Sequence, residues 1–239
     1  MATNAAVQLN PPGPKLIAPV WHTVLLAALF LSLTVMGAIF QHIAQTHPGQ
    51  LQQHQHVVPL YLSLIAMEWG LVCYVRAGLR KTGTRMSELV GERWTSAKYI
   101  IRDVALGVGL WALWGSLEMV GSRWFAPSHA ASIQPLLPKS LVELLLWIAL
   151  SASAGICEEI VFRGYFQEQF KRLTGSALAG VALQAVLFGV GHGYQGTQAT
   201  IKIAALGALY GLLAMWRKSL RPCMIAHAWT DIFSGLITR

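Results

Sequence analysis

The chain has 239 residues, of which 54% are hydrophobic and only 12% charged, and its mean hydropathy is +0.50. Soluble domains carry about 25% charged residues, so a water-soluble domain is excluded and lipid is the expected solvent. The formal net charge of +8 does not indicate nucleic acid, because the basic residues form short groups between apolar runs, where juxtamembrane anchors are placed.

Residues 1–17 contain Pro11, Pro12 and Pro14 with a single Lys15, and lack both a basic n-region and a small-residue cleavage site. They are expected to form a flexible tail rather than a signal peptide. Residues 18–239 then read as one membrane domain without internal repeats. Crossing a hydrocarbon core of about 30 Å takes roughly 20 apolar residues in a helix. Runs near that length at 18–42, 57–75, 104–124, 141–165, 176–192, 199–216 and 222–237 predict an all-α polytopic bundle of about seven spans, within a range of six to eight, around an intramembrane polar cavity. The runs show no period-two alternation, which excludes a closed barrel.

Several features along these runs have ordinary structural readings. Cys73, Cys157 and Cys223 lie in or beside apolar stretches without CxxC spacing, so neither a disulfide framework nor a thiolate metal site is expected. Glu68 and Glu118 fall within spans and read as interior polar contacts, and Glu143 reads as reaching the interface. His42, His47, His54 and His56 read as a solvated loop rather than a metal tract. The stretch 84–102, with Met86, Leu89, Val90, Trp94 and Tyr99 among charges, reads as an amphipathic surface helix or a solvated linker helix. Gly207 and Gly211 have the spacing of close helix packing within the chain. The GxGxxG-like stretch beginning at Gly191 follows an apolar helix rather than a strand, so nucleotide binding is rejected.

Charge also orients the chain. Segment 76–102 holds Arg76, Arg80, Lys81, Arg85, Arg93, Lys98 and Arg102, segment 171–172 holds Lys171 and Arg172, and segment 217–221 holds Arg217, Lys218 and Arg221. The alternate connections, 43–56, 125–140 and 193–198, hold only Lys139. The positive-inside rule therefore places 76–102 in the cytoplasm, and short loops with small size favour a bacterial plasma membrane.

Ionisable groups at membrane depth are costly, so each is a functional hypothesis by default. With helix ends near Phe170, Ser176 and Arg221, the rise per residue puts Glu158 about 18 Å deep, His192 about 24 Å, His227 about 9 Å and Asp231 about 15 Å. These depths allow convergence in one cavity. Glu159 and Arg163 are spaced i,i+4 and can pair on one helix face. Glu158 lies about 100° round the helix and stays free to take a proton from water. His227 and Asp231 are also i,i+4, so the carboxylate can reach an imidazole nitrogen and set its tautomer. His192 supplies a second imidazole, completing a base and donors suited to hydrolysis through an oxyanion.

The runs Glu158-Glu159-Ile-Val-Phe-Arg163, Phe188-Gly-Val-Gly-His192 and His227-Ala-Trp-Thr-Asp231 resemble EExxxR, FxxxH and HxxxN or HxxxD. These are the motifs of the CAAX protease and bacteriocin-processing family, and the resemblance covers about residues 140–237. It implies a glutamic-type intramembrane endopeptidase in which Glu158 activates water with help from His192. Glu159 and Arg163 form a supporting ion pair, and His227 with Asp231 makes the oxyanion site. Where eukaryotic members have Asn, this chain has Asp231, which would repel an oxyanion if ionised; it is expected to orient a cationic His227 instead.

The expected partners are a membrane-associated peptide or protein substrate and the lipid bilayer, with no nucleic acid. The sequence is silent on oligomeric state and on whether the substrate is prenylated. No cofactor is expected. Zinc held by two His and a carboxylate is the alternative mechanism, although HExxH is absent. Readings of other classes are a transporter or channel using the same acids and histidines, and a non-catalytic protein conferring immunity to a peptide toxin.

Overall fold

A computed structural model describes residues 15–46, 57–91, 93–121 and 136–237. Their regular structure is helical: α1 Val20–Thr46, α2 Val57–Thr82, α3 Met86–Val90, α4 Ala97–Gly121 and α5 Leu141–Glu158, then a π-helix Glu159–Phe166 that runs on into α6 Gln167–Thr174. After these come α7 Ala177–Gly191, a 3-10 turn Gly193–Gln195, α8 Thr197–Arg217 and α9 Arg221–Ile237.

Five helical stretches among the described residues are long and apolar enough to cross a membrane: Val20–Ile39, Val57–Thr82, Ala97–Gly121, Leu141–Thr174 and Thr197–Arg217. The protein is thus an all-α integral membrane bundle. The other two expected spans are shorter, 15 residues in α7 and 17 in α9, or roughly 22 and 26 Å of helix. Their polar groups have protein neighbours: α7 lies against α6 and α8, and α9 against α4 and α5.

Local chemistry sets several boundaries. Ser140 and Glu143 form a capping box at α5, with Glu143 N donating to Ser140 Oγ at 3.2 Å and Ser140 N to Glu143 Oε2 at 3.2 Å. Glu143 therefore sits at the end of the span, as expected. Gly175, at φ +73°, ends α6, and Ser176, directly before Ala177, caps α7 by accepting from Ala179 N.

The basic segments meet at one end of the bundle. Leu220 N donates to Val90 O at 3.1 Å, and Arg217 reaches the buried Asp103 at 2.8 Å. Arg172 binds the carbonyl of Lys15, while Thr82 binds that of Ile17. This common end is what the charge pattern anticipates.

Three local expectations change. The stretch 84–102 is not one helix: α3 stops at Gly91, which has φ +91° and passes so close to Lys218 O that a Cβ would lie 2.6 Å away. Met86, Leu89 and Val90 pack into the core instead of lying on a surface. The N-terminal tail is shorter than 1–17, since Ile17 is fully buried and its N–H donates to Gln169. His42 belongs to α1 rather than to a loop; His47, His54 and His56 lie outside the described residues, as does residue 1–14 of the tail.

Candidate active site

The three motifs meet around His227. Glu159 Oε1 accepts from Arg163 Nη1 at 2.9 Å and from His227 Nδ1 at 2.8 Å. Both side chains of the Glu159–Arg163 pair are fully buried, so each charge depends on the other for compensation. Across the ring, His227 Nε2 lies 3.7 Å from Glu158 Oε2 and 3.6 Å from Asp231 Oδ2.

The expected pairing of Glu159 with Arg163 is present, but on a different backbone. The chain leaves the α-helix at Glu159 and runs as a π-helix to Phe166, and all eight of its residues are buried. Such wide turns occur often at functional sites. A second difference concerns the imidazole. Glu159, not Asp231, makes the hydrogen bond that fixes the His227 ring, because Asp231 stops beyond hydrogen-bonding distance on the opposite nitrogen. With Nδ1–H donating to Glu159, His227 Nε2 is turned toward both Glu158 and Asp231.

Arg163 is held by aromatic faces as well as by its carboxylate. Its guanidinium lies 4.1 Å from the Phe188 ring centroid and 5.2 Å from that of Tyr210, contacts that suit a weakly hydrated planar cation. Its Nε and Nη2 have no hydrogen-bond partner among the described residues. Phe188 also stands edge-on to both imidazoles, with centroids 4.8 Å from His192 and 6.0 Å from His227. This aromatic side chain spaces the motifs.

His192 lies just past the end of α7, where its Nδ1 meets Phe188 O at 2.8 Å. That contact makes Nδ1 the donor and leaves Nε2 for the site. Asp231 is placed through its backbone, whose carbonyl accepts from Trp147 Nε1 at 3.0 Å. The site opens on this side: 37% of the Asp231 side chain and 17% of that of Glu158 are accessible, against none of Glu159.

Small residues let the helices close on this centre. A Cβ on Gly155 of α5 would lie 2.7 Å from Ala228 N in α9, so the helices carrying Glu158 and His227 touch backbone to backbone. A Cβ on Gly207 would come 3.1 Å from Phe188 and 3.3 Å from Arg163 Nη2. One on Gly211 would meet Gln167 and Gln184 at 2.7 Å. The Gly207–Gly211 pair therefore packs within the chain, as its spacing suggests.

One buried acidic residue lies outside the motifs. Glu68 of α2 is 7% exposed, and its Oε2 has no hydrogen-bond partner in the described protein. Its position within a span is visible in the sequence, but nothing in the linear spacing says that α2 turns this face to α5. Glu118, in contrast, forms a half-exposed pair with Lys202 at 3.6 Å. Among the described residues, no three His, Cys, Asp or Glu side chains form a group able to hold a metal ion.

Residues 140–233 match the family model described as Type II CAAX prenyl endopeptidase Rce1-like. The matched segment runs from the cap of α5 into α9 and contains all three motifs, which supports their assignment to the CAAX protease and bacteriocin-processing family. No curated protein and no solved structure matches the chain.

Proposed function

We propose that this membrane protein, whose residues 140–233 carry the signature of type II CAAX prenyl endopeptidases, is a glutamic-type intramembrane endopeptidase with Glu158 as its base. One observation carries the reading: two adjacent carboxylates have different engagements. Glu159 is taken by Arg163 and His227, whereas the buried Oε2 of Glu158 has no hydrogen-bond partner in the described protein, and 17% of the Glu158 side chain is accessible against none of Glu159.

In the proposed reaction a water O–H bond breaks and the proton passes to Glu158, while the water oxygen bonds to the peptide carbonyl carbon. The carbonyl electron pair moves onto oxygen, where a donor from His227 stabilises the oxyanion, while His192 Nε2 accepts from the attacking water and orients it. Collapse restores the carbonyl and expels the amine, which leaves with the proton from Glu158. Asp231 keeps His227 in its donor form by proximity. Segment 76–102, and with it the basic end of the bundle, faces the cytoplasm, and the substrate is a membrane-associated peptide, which includes lipidated C-terminal peptides.

Purified protein in lipid nanodiscs, incubated with a farnesylated CAAX-type peptide and with membrane peptides that accumulate when the protein is removed from cells, tests this. Glu158→Gln is expected to lower turnover by a factor of about 10²–10⁴ without changing elution or thermal stability. Wild-type turnover by that variant would refute the assignment of the base. Chelator treatment separates the two hydrolytic mechanisms: activity that resists chelation supports the glutamic one, and activity lost to it and restored by zinc supports the metal.

A further inference from the structure

The basic end of the bundle holds a cleft of about 340 Å³ that the proposed reaction does not use. Arg76 and Arg80 line it from the last two turns of α2, and Arg85 from the segment that leads into α3. Thr84 and Ser87 add hydroxyl groups, while Leu79, 1% exposed, and the half-buried Met86 form its apolar part. Among the described residues no acid lines it.

Several cations at this end already have partners: Arg172 and Lys171 pair with Glu168, Arg217 and Arg102 with Asp103, and Arg221 lies over the Trp94 ring. Arg76 and Arg80 differ. Both are exposed, and neither has an ion pair or a hydrogen bond among the described residues. Arg85 is only partly engaged, with Nε 3.4 Å from Glu88 Oε1 and 82% of its side chain accessible. Like charges spaced i,i+4 on a helix repel, so an anion between Arg76 and Arg80 replaces a repulsion with two attractions.

Depth decides the source of that anion. Arg76 and Arg80 stand roughly 29 and 35 Å of helix rise from Val57, the start of α2. In a hydrocarbon core about 30 Å thick this is the far edge, at the level of the lipid headgroups. Guanidinium groups offer paired donors that match phosphate oxygens, and Leu79 and Met86 lie where the first apolar atoms of a lipid would pass. A zwitterionic headgroup brings a cation for which the lining has no acid, so a headgroup of net negative charge fits better.

We propose that the cleft between the end of α2 and the start of α3 binds the phosphodiester headgroup of an anionic phospholipid through Arg76, Arg80 and Arg85. Its helix α3 also contacts the π-helix: a Cβ on Gly164 would lie 3.2 Å from that of Leu89, and Val90 O accepts from Leu220 N just before α9. A headgroup that draws Arg85 toward Arg76 and Arg80 therefore pins α3 between α2 and the π-helix, and stabilises the folded protein by binding it.

The test places the full-length protein in nanodiscs of phosphatidylcholine with and without phosphatidylglycerol, and counts the lipids that stay bound by native mass spectrometry. Phosphatidylglycerol is expected to be retained in preference to phosphatidylcholine and to raise the thermal midpoint. Arg76→Gln combined with Arg80→Gln should lower that preference at least about fivefold. Arg93→Gln combined with Lys98→Gln removes the same charge outside the cleft and should keep it. Arg85→Gln repeats the test without altering a span, in case α2 does not tolerate its two changes, and should lower the preference as well. Equal retention of the two lipids by the wild type, equal losses in the two double variants, or an unchanged preference in Arg85→Gln would each overturn the proposal. So would displacement of the bound lipid by inorganic phosphate at constant ionic strength, which would assign the cleft to a free anion. None of these measurements needs turnover, so their outcome is independent of the assignment of Glu158.

Discussion

Glu159 carries two hydrogen bonds on one oxygen, and this makes it the residue on which the architecture of the site most depends. Losing one partner of a buried ion pair leaves the other charge uncompensated, at a cost of about 3–5 kcal/mol. Arg163→Met is the sharper variant, because it preserves stem packing between Phe188 and Tyr210 while stranding Glu159. It is expected to lower the thermal midpoint of the detergent-solubilised protein by roughly 6–20 °C, measured by tryptophan fluorescence. A midpoint within about 2 °C of wild type would show that Glu159 finds enough compensation in His227 alone. The sequence made the Glu159–Arg163 pair legible, since i,i+4 spacing brings acid and base together in any helical backbone. It could not show that Glu159 would also take His227, because that bond joins residues 68 positions apart. Asp231, four residues from His227, looked the better partner by spacing and is the more distant one in space.

At the scale of elements, the connection between α3 and α4 has a latch. Asp103 is completely buried and accepts from Trp94 Nε1 at 2.8 Å and Arg217 Nε at 2.8 Å, while Arg221 lies 5.3 Å over the Trp94 ring. These contacts join α4, the segment before it, and the turn between α8 and α9. Because α9 carries His227 and Asp231, the latch sets the entry of the last motif. Arg217→Ala is expected to destabilise the protein by about 2–4 kcal/mol, less than loss of Arg163, since Arg217 is partly exposed and Trp94 and Arg102 remain beside Asp103. Thermal denaturation of the two variants side by side checks the order, and equal losses would contradict it. The hydropathy pattern disclosed these helices but not this junction. Trp94 and Tyr99 among charges suggested an amphipathic surface helix, whereas the close approach at Gly91 interrupts any such helix and turns Leu89 inward. Periodicity cannot register a break imposed by another part of the chain.

At the scale of the whole molecule, the motif-bearing segment leans on the residues that precede it. Tyr165 of the π-helix hydrogen-bonds His22 at 2.8 Å and Thr23 at 2.9 Å, with His22 stacked on Tyr74 at 3.9 Å. Gln169 of α6 accepts from Ile17 N at 3.1 Å and donates to Ala18 O at 2.8 Å. Phe30 of α1 packs on Phe162 and Phe166 at 4.9 and 6.2 Å between centroids. Spans without a recognisable motif thus form one wall of the π-helix, and their polar partners satisfy groups that would be costly to leave bare in lipid. The sequence revealed that these spans exist, since apolar length is enough for that. It did not reveal what they do, because a lone His22 or Glu68 in an apolar run gains meaning only from the helix it faces. A division of labour follows. If the first four helices build the wall rather than merely anchor the chain, residues 135–239 expressed alone should reach the membrane yet show no cleavage, and should be digested quickly by added protease. Co-expression with residues 1–134 as a separate polypeptide should restore both protection and cleavage, because hydrophobic helices can associate after insertion. Full activity of 135–239 by itself would mean that the motif segment contains everything the reaction needs, and that the contacts of Tyr165, Gln169 and Phe162 with α1 serve stability at most.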